Sequence, residues 1–303
     1  MTAVVSGAGA PPPLPRLPDR QLAPLAAAYR DAQAVKRRNA ALFVATLFVT
    51  ALVAGRVAEI DPIKFLANID RFTSYIGRLF YLENGAPVWI DLGEWFWGWK
   101  KWLLHLGDTL LIAYLGTLLG AIGGFFLCFL ASANLNPNRW SRGLVRRLLE
   151  FFRSVPELVF ALIFVVAFGL GPLPGVLAIA IHTTGALGKL FAEVVENIDM
   201  KPVEGVSATG ATWWQTVHLS AVPQVLSNFL SYGLLRFEIN VRGASVMGFV
   251  GAGGIGQELV EAIRKFYYSD VSGLLILIVA TVMLIDFGTE RLRHQLIGQE
   301  ARA

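Results

Sequence analysis

From Leu110 to Ala133 the chain carries no Asp, Glu, Lys or Arg, and nothing else in it restricts the fold as strongly. As a helix such a run crosses the roughly 30 Å of a bilayer's hydrocarbon core. Buried helices of soluble proteins are seldom apolar over more than about 14 residues. Composition agrees: 16% of the 303 residues are charged and 55% hydrophobic, with a mean hydropathy of +0.56, where soluble chains carry about 25% charge. The sequence therefore specifies an all-α polytopic membrane protein of about six transmembrane helices.

One cysteine, Cys128, excludes an internal disulfide and a multi-cysteine metal site. The net charge of +4 does not point to nucleic acid, because the arginines flank apolar segments rather than forming one patch. Residues 1–38, with Pro11-Pro12-Pro13 and a closing Lys36-Arg37-Arg38, read as a flexible cytoplasmic arm, in which Gln21–Arg38 suits a surface helix. No apolar run follows Met1, so this is not a cleavable signal peptide.

The first span is expected over 39–57. An external loop over 58–107 holds Trp89, Trp95, Trp97, Trp99 and Trp102, which suit either an interfacial belt with a surface helix or a small folded loop with an aromatic core. The core of the bundle runs over 108–292. Its second span, Thr109–Ala133, places Gly116, Gly120 and Gly124 on nearly one face, where small residues let another helix approach closely. Asn134–Arg147, with Arg139, Arg142, Arg146 and Arg147, reads as a cytoplasmic loop. Further spans follow at about Pro156–Phe168, Val176–Val194, Val222–Val250 and Val271–Phe287, the first two joined by a tight turn over Gly169–Gly175. Residues 293–303 form a cytoplasmic tail. The Lys and Arg placement puts both termini inside.

The polar segment between the fourth and fifth spans is the most informative. Pro202 suits a first helical turn and Glu204 complements its positive end. Val206, Gly210, Trp213 and Val217 recur at helical spacing, so one coupling helix is expected over about 202–219, suited to a groove on a partner. Glu204, Gly205, Gly210 and Pro223 resemble the EAA loop of ABC-importer permeases, in which Glu is followed six residues on by Gly and later by an apolar residue and Pro. Gly205-Val206 and Val222 depart from that pattern without altering the glycine spacing. Arg153-Ser154-Val155-Pro156-Glu157-Leu158, Gly169-Leu170-Gly171-Pro172, Phe237 to Ala244 and Gly251 to Gly256 together resemble the phosphonate-transport permeases, relatives of the methionine-type permeases with the type I importer fold.

The resemblance implies a transport subunit of the inner membrane that is not itself an enzyme. It implies no cofactor of its own, ATP being bound by two cytoplasmic ABC ATPase subunits, and a second permease copy or close paralogue. An external substrate-binding protein would deliver phosphonate, phosphite or phosphate. An importer of another small solute, such as methionine, and an autonomous secondary transporter are the alternatives. A membrane-embedded enzyme has no paired-His motif or nucleophile–base set to support it.

Gly251, Gly253, Gly254 and Gly256 fit a dinucleotide-type spacing, but an apolar span precedes them where a strand is needed; they suit a tight hairpin at the outer face. Thr184 to Lys189 departs from a phosphate-binding loop at both ends. Charges within spans cost about 3 kcal/mol each on insertion scales and demand partners or water. Glu238 and Arg242 stand i, i+4 in the favoured order for an ion pair. Arg242 with Arg236 or Lys189 would supply positive potential to an anion path, with Glu157 and His182 as further candidates.

Overall fold

A computed structural model describes residues 19–300, which divide into two compact units, one reaching to Phe72 and one starting at Thr73. The first holds α1 (Asp19–Val57) and α2 (Pro62–Ala67), and α3 (Ile69–Arg78) begins in it. Residues 1–18 of the expected arm lie outside the described residues. From Asp19 the arm and the first span are one unbroken helix, because the Ala-rich stretch before Lys36 is made of good helix formers. In α1 the side chains of Phe43 (69%) and Phe48 (63%) are exposed, a state that lipid favours and water does not. Asp61 caps α2 by accepting from the Ile63 and Lys64 amides.

The second unit contains α4 (Leu92–Trp95), α5 (Trp99–Ala131), α6 (Arg139–Ser154), α7 (Glu157–Phe168) and α8 (Pro172–Glu196). After these come α9 (Met200–Ala208), α10 (Trp213–Thr216), α11 (Val222–Met247), α12 (Ile255–Arg264) and α13 (Tyr268–Glu300). No strand occurs among the described residues. Four stretches are long and apolar enough to cross a membrane: 26–57, 99–131, 172–196 and 268–295. The bent pair α6–α7 counts as a fifth. At 26 residues, α11 is about 39 Å long, enough to cross, but it is not apolar enough to be counted with these five, so the sixth expected span is not marked by composition.

Two boundaries differ from expectation. The second span starts at Trp99 rather than Thr109, so the external loop is shorter. Trp102 is buried, Trp95 donates to the Ser269 carbonyl (3.2 Å) and Ser272 Oγ (3.0 Å), and Trp97 donates to Asp270 (3.0 Å). The Trp95 and Trp97 indoles fasten the loop to α13, while Trp89, Trp97 and Trp99 remain largely exposed. The arginine-rich 139–147 stretch is not a loop but the start of α6, capped by Asn138. The chain then turns by 86° between α6 and α7. Pro156 has no amide to donate and holds Val155 extended (φ −77°, ψ 123°), which ends α6 there.

The glycine face of α5 packs on α8. A Cβ on Gly116 would fall 2.6 Å from Ile179, on Gly120 2.5 Å from Thr183, and on Gly124 2.9 Å from the Gly188 amide. On the other side Gly185 meets Leu149, Phe152 and Arg153 of α6. Hence α8 is gripped between α5 and α6–α7, and dispersion between close backbones replaces the missing hydrophobic drive.

Candidate functional site

Polar side chains inside the bundle cluster on two opposite faces of α11. Residues 236, 240 and 243 point one way and 238 and 242 the other, as 100° per residue requires. On the first face the Arg236 guanidinium contacts His182 Nδ1 and reaches Thr183 Oγ1 from Nε at 3.5 Å. Glu157, in the first turn of α7, brings Oε2 to 4.0 Å from Arg236 and 3.6 Å from His182 Nδ1. Arg236 is 12% exposed, His182 18% and Glu157 23%, so solvent screens them little.

Asn240 completes this face, donating from Nδ2 to Thr117 Oγ1 (2.8 Å) and Thr183 Oγ1 (2.9 Å). Its orientation is fixed because Thr117 already gives its hydroxyl hydrogen to the Ala113 carbonyl, at 2.6 Å, and must accept from Asn240. Asn240 Oδ1 is left with no donor among the described residues. Gly243 supplies room: a Cβ there would run into Glu157 Oε1.

On the opposite face Arg242 pairs with Glu238 and with both oxygens of Asp286 on α13, each at 3.1 Å. Thr289 Oγ1 donates to the Ile285 carbonyl at 2.9 Å and lies 3.4 Å from Glu238 Oε2. One cation thus serves two carboxylates, and the cluster clamps α11 to α13. Of the four path candidates, Glu157 and His182 come together, Glu238 and Arg242 come together, and the two pairs do not meet. Arg236 belongs with the first pair, not with Arg242. Lys189 joins neither; it lines a cavity of about 280 Å³ beside Arg146 and Glu196. Asp286 escaped sequence reasoning, since nothing local marks its contact with α11.

The segment matched to the EAA loop is broken where one helix was expected. After α9, Gly210 adopts φ +84°, a left-handed close that a glycine makes without strain. Thr212 and Gln215 then form a capping box that starts α10, and a π-helical turn over Val217–Ala221 leads into α11. The four residues singled out, Glu204, Gly205, Gly210 and Pro223, are all exposed. Beneath them Val203 and Val217 are buried. Trp213 donates to the Leu135 carbonyl at 2.8 Å, and Gln224 accepts from the Asp199 amide at 3.0 Å. Glu196 accepts from the Ala133 amide at 2.7 Å and pairs with Arg146, which also donates to the Ala131 carbonyl at 2.8 Å. The exposed segment therefore rests on a braced platform joining the ends of α5, α6, α8 and α11.

At the other end, the glycine hairpin is packed into the bundle. Gly251, Gly253 and Gly254 have φ near +80°. Gly251 accepts from the Gly171 amide at 3.0 Å, and Thr109 Oγ1 accepts from the Ile255 amide at 2.8 Å. These glycines serve contact with α5 and the α7–α8 turn, and the Thr184–Lys189 stretch lies within α8.

Residues 116–296 match the model of the binding-protein-dependent transport system inner membrane components. The phosphite transport system permease protein PtxC of Stutzerimonas stutzeri is 42% identical over 77% of this chain and 85% of its own length. The putative phosphite transport system permease protein HtxC of the same organism is 34% identical over 90% and 92%. Among solved structures, an inward-facing MetNI methionine ABC transporter chain aligns with a TM-score of 0.55 at 19% identity, over 64% of this chain and 95% of that one. That likeness carries the type I importer fold expected from the sequence.

Proposed function

Because the chain belongs to the family of binding-protein-dependent transport system inner membrane components, we propose that it is the membrane subunit of an ATP-driven importer of phosphorus oxyanions, phosphite or a phosphonate. The observation that carries this reading is the exposed segment from Glu204 to Gly210 mounted on a braced platform. Such a mount lets a docked partner move the bundle rather than merely the loop.

Two copies of the permease would pair with two ATPase subunits at that platform, and an external binding protein would deliver cargo at the opposite end. The Lys and Arg placement supports a cytoplasmic location for both termini and for α9. A push on α9 and α10 reaches Leu135 through Trp213 and, across the Arg146–Glu196 pair, the middle of α6. From there α6 leads to the bend at Pro156 and to Glu157. ATP hydrolysis thus has a short mechanical route to the charged face of α11.

Gly205 offers the cleanest test. It sits in regular helix with nothing within 4 Å of an added Cβ, so Gly205→Trp is tolerated by the bundle but fouls a docking partner. Gly210 is less clean, since any side chain at φ +84° is strained. In a reconstituted complex with its ATPase and binding protein, Gly205→Trp is expected to abolish phosphite-stimulated ATP hydrolysis. Undiminished stimulation contradicts the coupling role, and stimulation by methionine alone replaces the cargo.

A further inference from the structure

The charged face of α11 holds a cation whose counter-charge is poorly placed. A guanidinium only donates, so His182 Nδ1 must accept from Arg236 and carry no hydrogen. The imidazole is then neutral, with its ring hydrogen on Nε2. A neutral His182 cannot hold Glu157 through Nδ1, since both atoms are acceptors at 3.6 Å. What remains for the carboxylate is Arg236 at 4.0 Å, well beyond the roughly 2.7–2.9 Å of a charge-assisted hydrogen bond. Arg242, by contrast, is matched by two carboxylates in contact.

The geometry points to Arg236 as the oxyanion-contacting residue of the pathway, and to Glu157 as a resident counter-anion that the cargo displaces. This rests on the importer reading above. Glu157 stands where an anion would stand, beside a guanidinium that Thr183 and His182 orient. A tetrahedral phosphorus oxyanion presents several oxygens and accepts two donors of one guanidinium at once, which a carboxylate held at 4.0 Å does not. Two features let Glu157 leave. It follows directly on the bend at Val155-Pro156 where α6 and α7 part by 86°, and its space beside Gly243 exists because that residue has no Cβ. His182, Thr183 and Asn240 are positioning residues: they hold the Arg236 fork in place. With Glu157 in, its negative charge occupies the place beside the cation and repels other anions; with cargo in, Glu157 is released together with the end of α6.

The test uses proteoliposomes carrying the assembled complex, with inorganic phosphite as probe, and reads ATP-driven uptake and ATP-independent leak. Arg236→Gln is expected to lower uptake at least tenfold. Glu157→Gln is expected to raise leak several-fold while uptake remains measurable. Should Arg236→Gln fail to assemble, Arg236→Gln with Glu157→Gln removes the charge imbalance and is expected to assemble without importing. A double variant that imports like wild type makes the pair purely structural and overturns the inference. So does a Glu157→Gln complex with wild-type leak. Wild-type import of phosphite with both single variants unchanged overturns this inference alone; a wild type that imports no phosphorus oxyanion overturns the importer reading as well.

Discussion

The two faces of α11 carry similar residues and do different work. Toward α13, Arg242 lies between Glu238 and Asp286, a surplus of negative charge in tight contact. Toward α7 and α8, Arg236 is far less exposed, 12% against 49%, yet has one carboxylate at 4.0 Å. Intramembrane charges are costly unless matched; on the reading proposed above the well-matched cation serves structure and the loosely matched one exchanges its partner for a ligand. Charge count alone would have ranked the two arginines equally; contact distance separates them.

The comparison is broken most forcefully by neutralising each arginine. Arg236→Gln should cost at least tenfold in phosphite uptake at equal amounts of assembled complex, measured in proteoliposomes. Arg242→Gln should instead lower the thermal midpoint of the complex by several degrees, because it leaves two carboxylates facing each other. Uptake should fall only in proportion to the protein lost. Adding Glu238→Gln and Asp286→Asn should return most of that stability; if uptake stays low after stability recovers, the structural assignment of this face is wrong.

A smaller effect sharpens the first face. Gly243→Ala drives a methyl group into Glu157 Oε1 and should reproduce part of the leak expected of Glu157→Gln, about twofold to threefold. Gly233→Ala on the same helix meets nothing within 4 Å. It should leave uptake unchanged and add up to about 1 kcal/mol of helix stability, read as a slightly higher thermal midpoint.

Much of this was legible in the sequence, for local reasons. Hydropathy located the spans, since lipid imposes length and composition on each of them. Gly116, Gly120 and Gly124 announced a close helix contact through four-residue spacing, and Glu238 with Arg242 announced a pair in the same way. The break in the 202–219 segment was also written locally, in Gly210 and in Thr212 with Gln215 three residues on. Those signals lost to an apolar stripe counted straight through a glycine. Helix α6 was missed because four arginines suggested a loop, although Val145, Leu149 and Phe152 recur at helical spacing, the last two facing α8. What could not be read locally was juxtaposition. Asp286 lies 44 positions from Arg242 and His182 54 from Arg236, and only the folded bundle brings them together. Arg236 and Asn240, four apart in an apolar helix, were the one hint that this face mattered.

In the importer proposed above labour is divided: this chain would form the path, and energy would arrive through the segment around Glu204 and Gly205. The most direct measurement is phosphite uptake into proteoliposomes containing the permease with its ATPase, the binding protein outside and ATP or a non-hydrolysable analogue within. Uptake that needs both the binding protein and hydrolysable ATP, and that Gly205→Trp removes, is the predicted result. Uptake by the permease alone, driven by an ion gradient and indifferent to ATP, would contradict it.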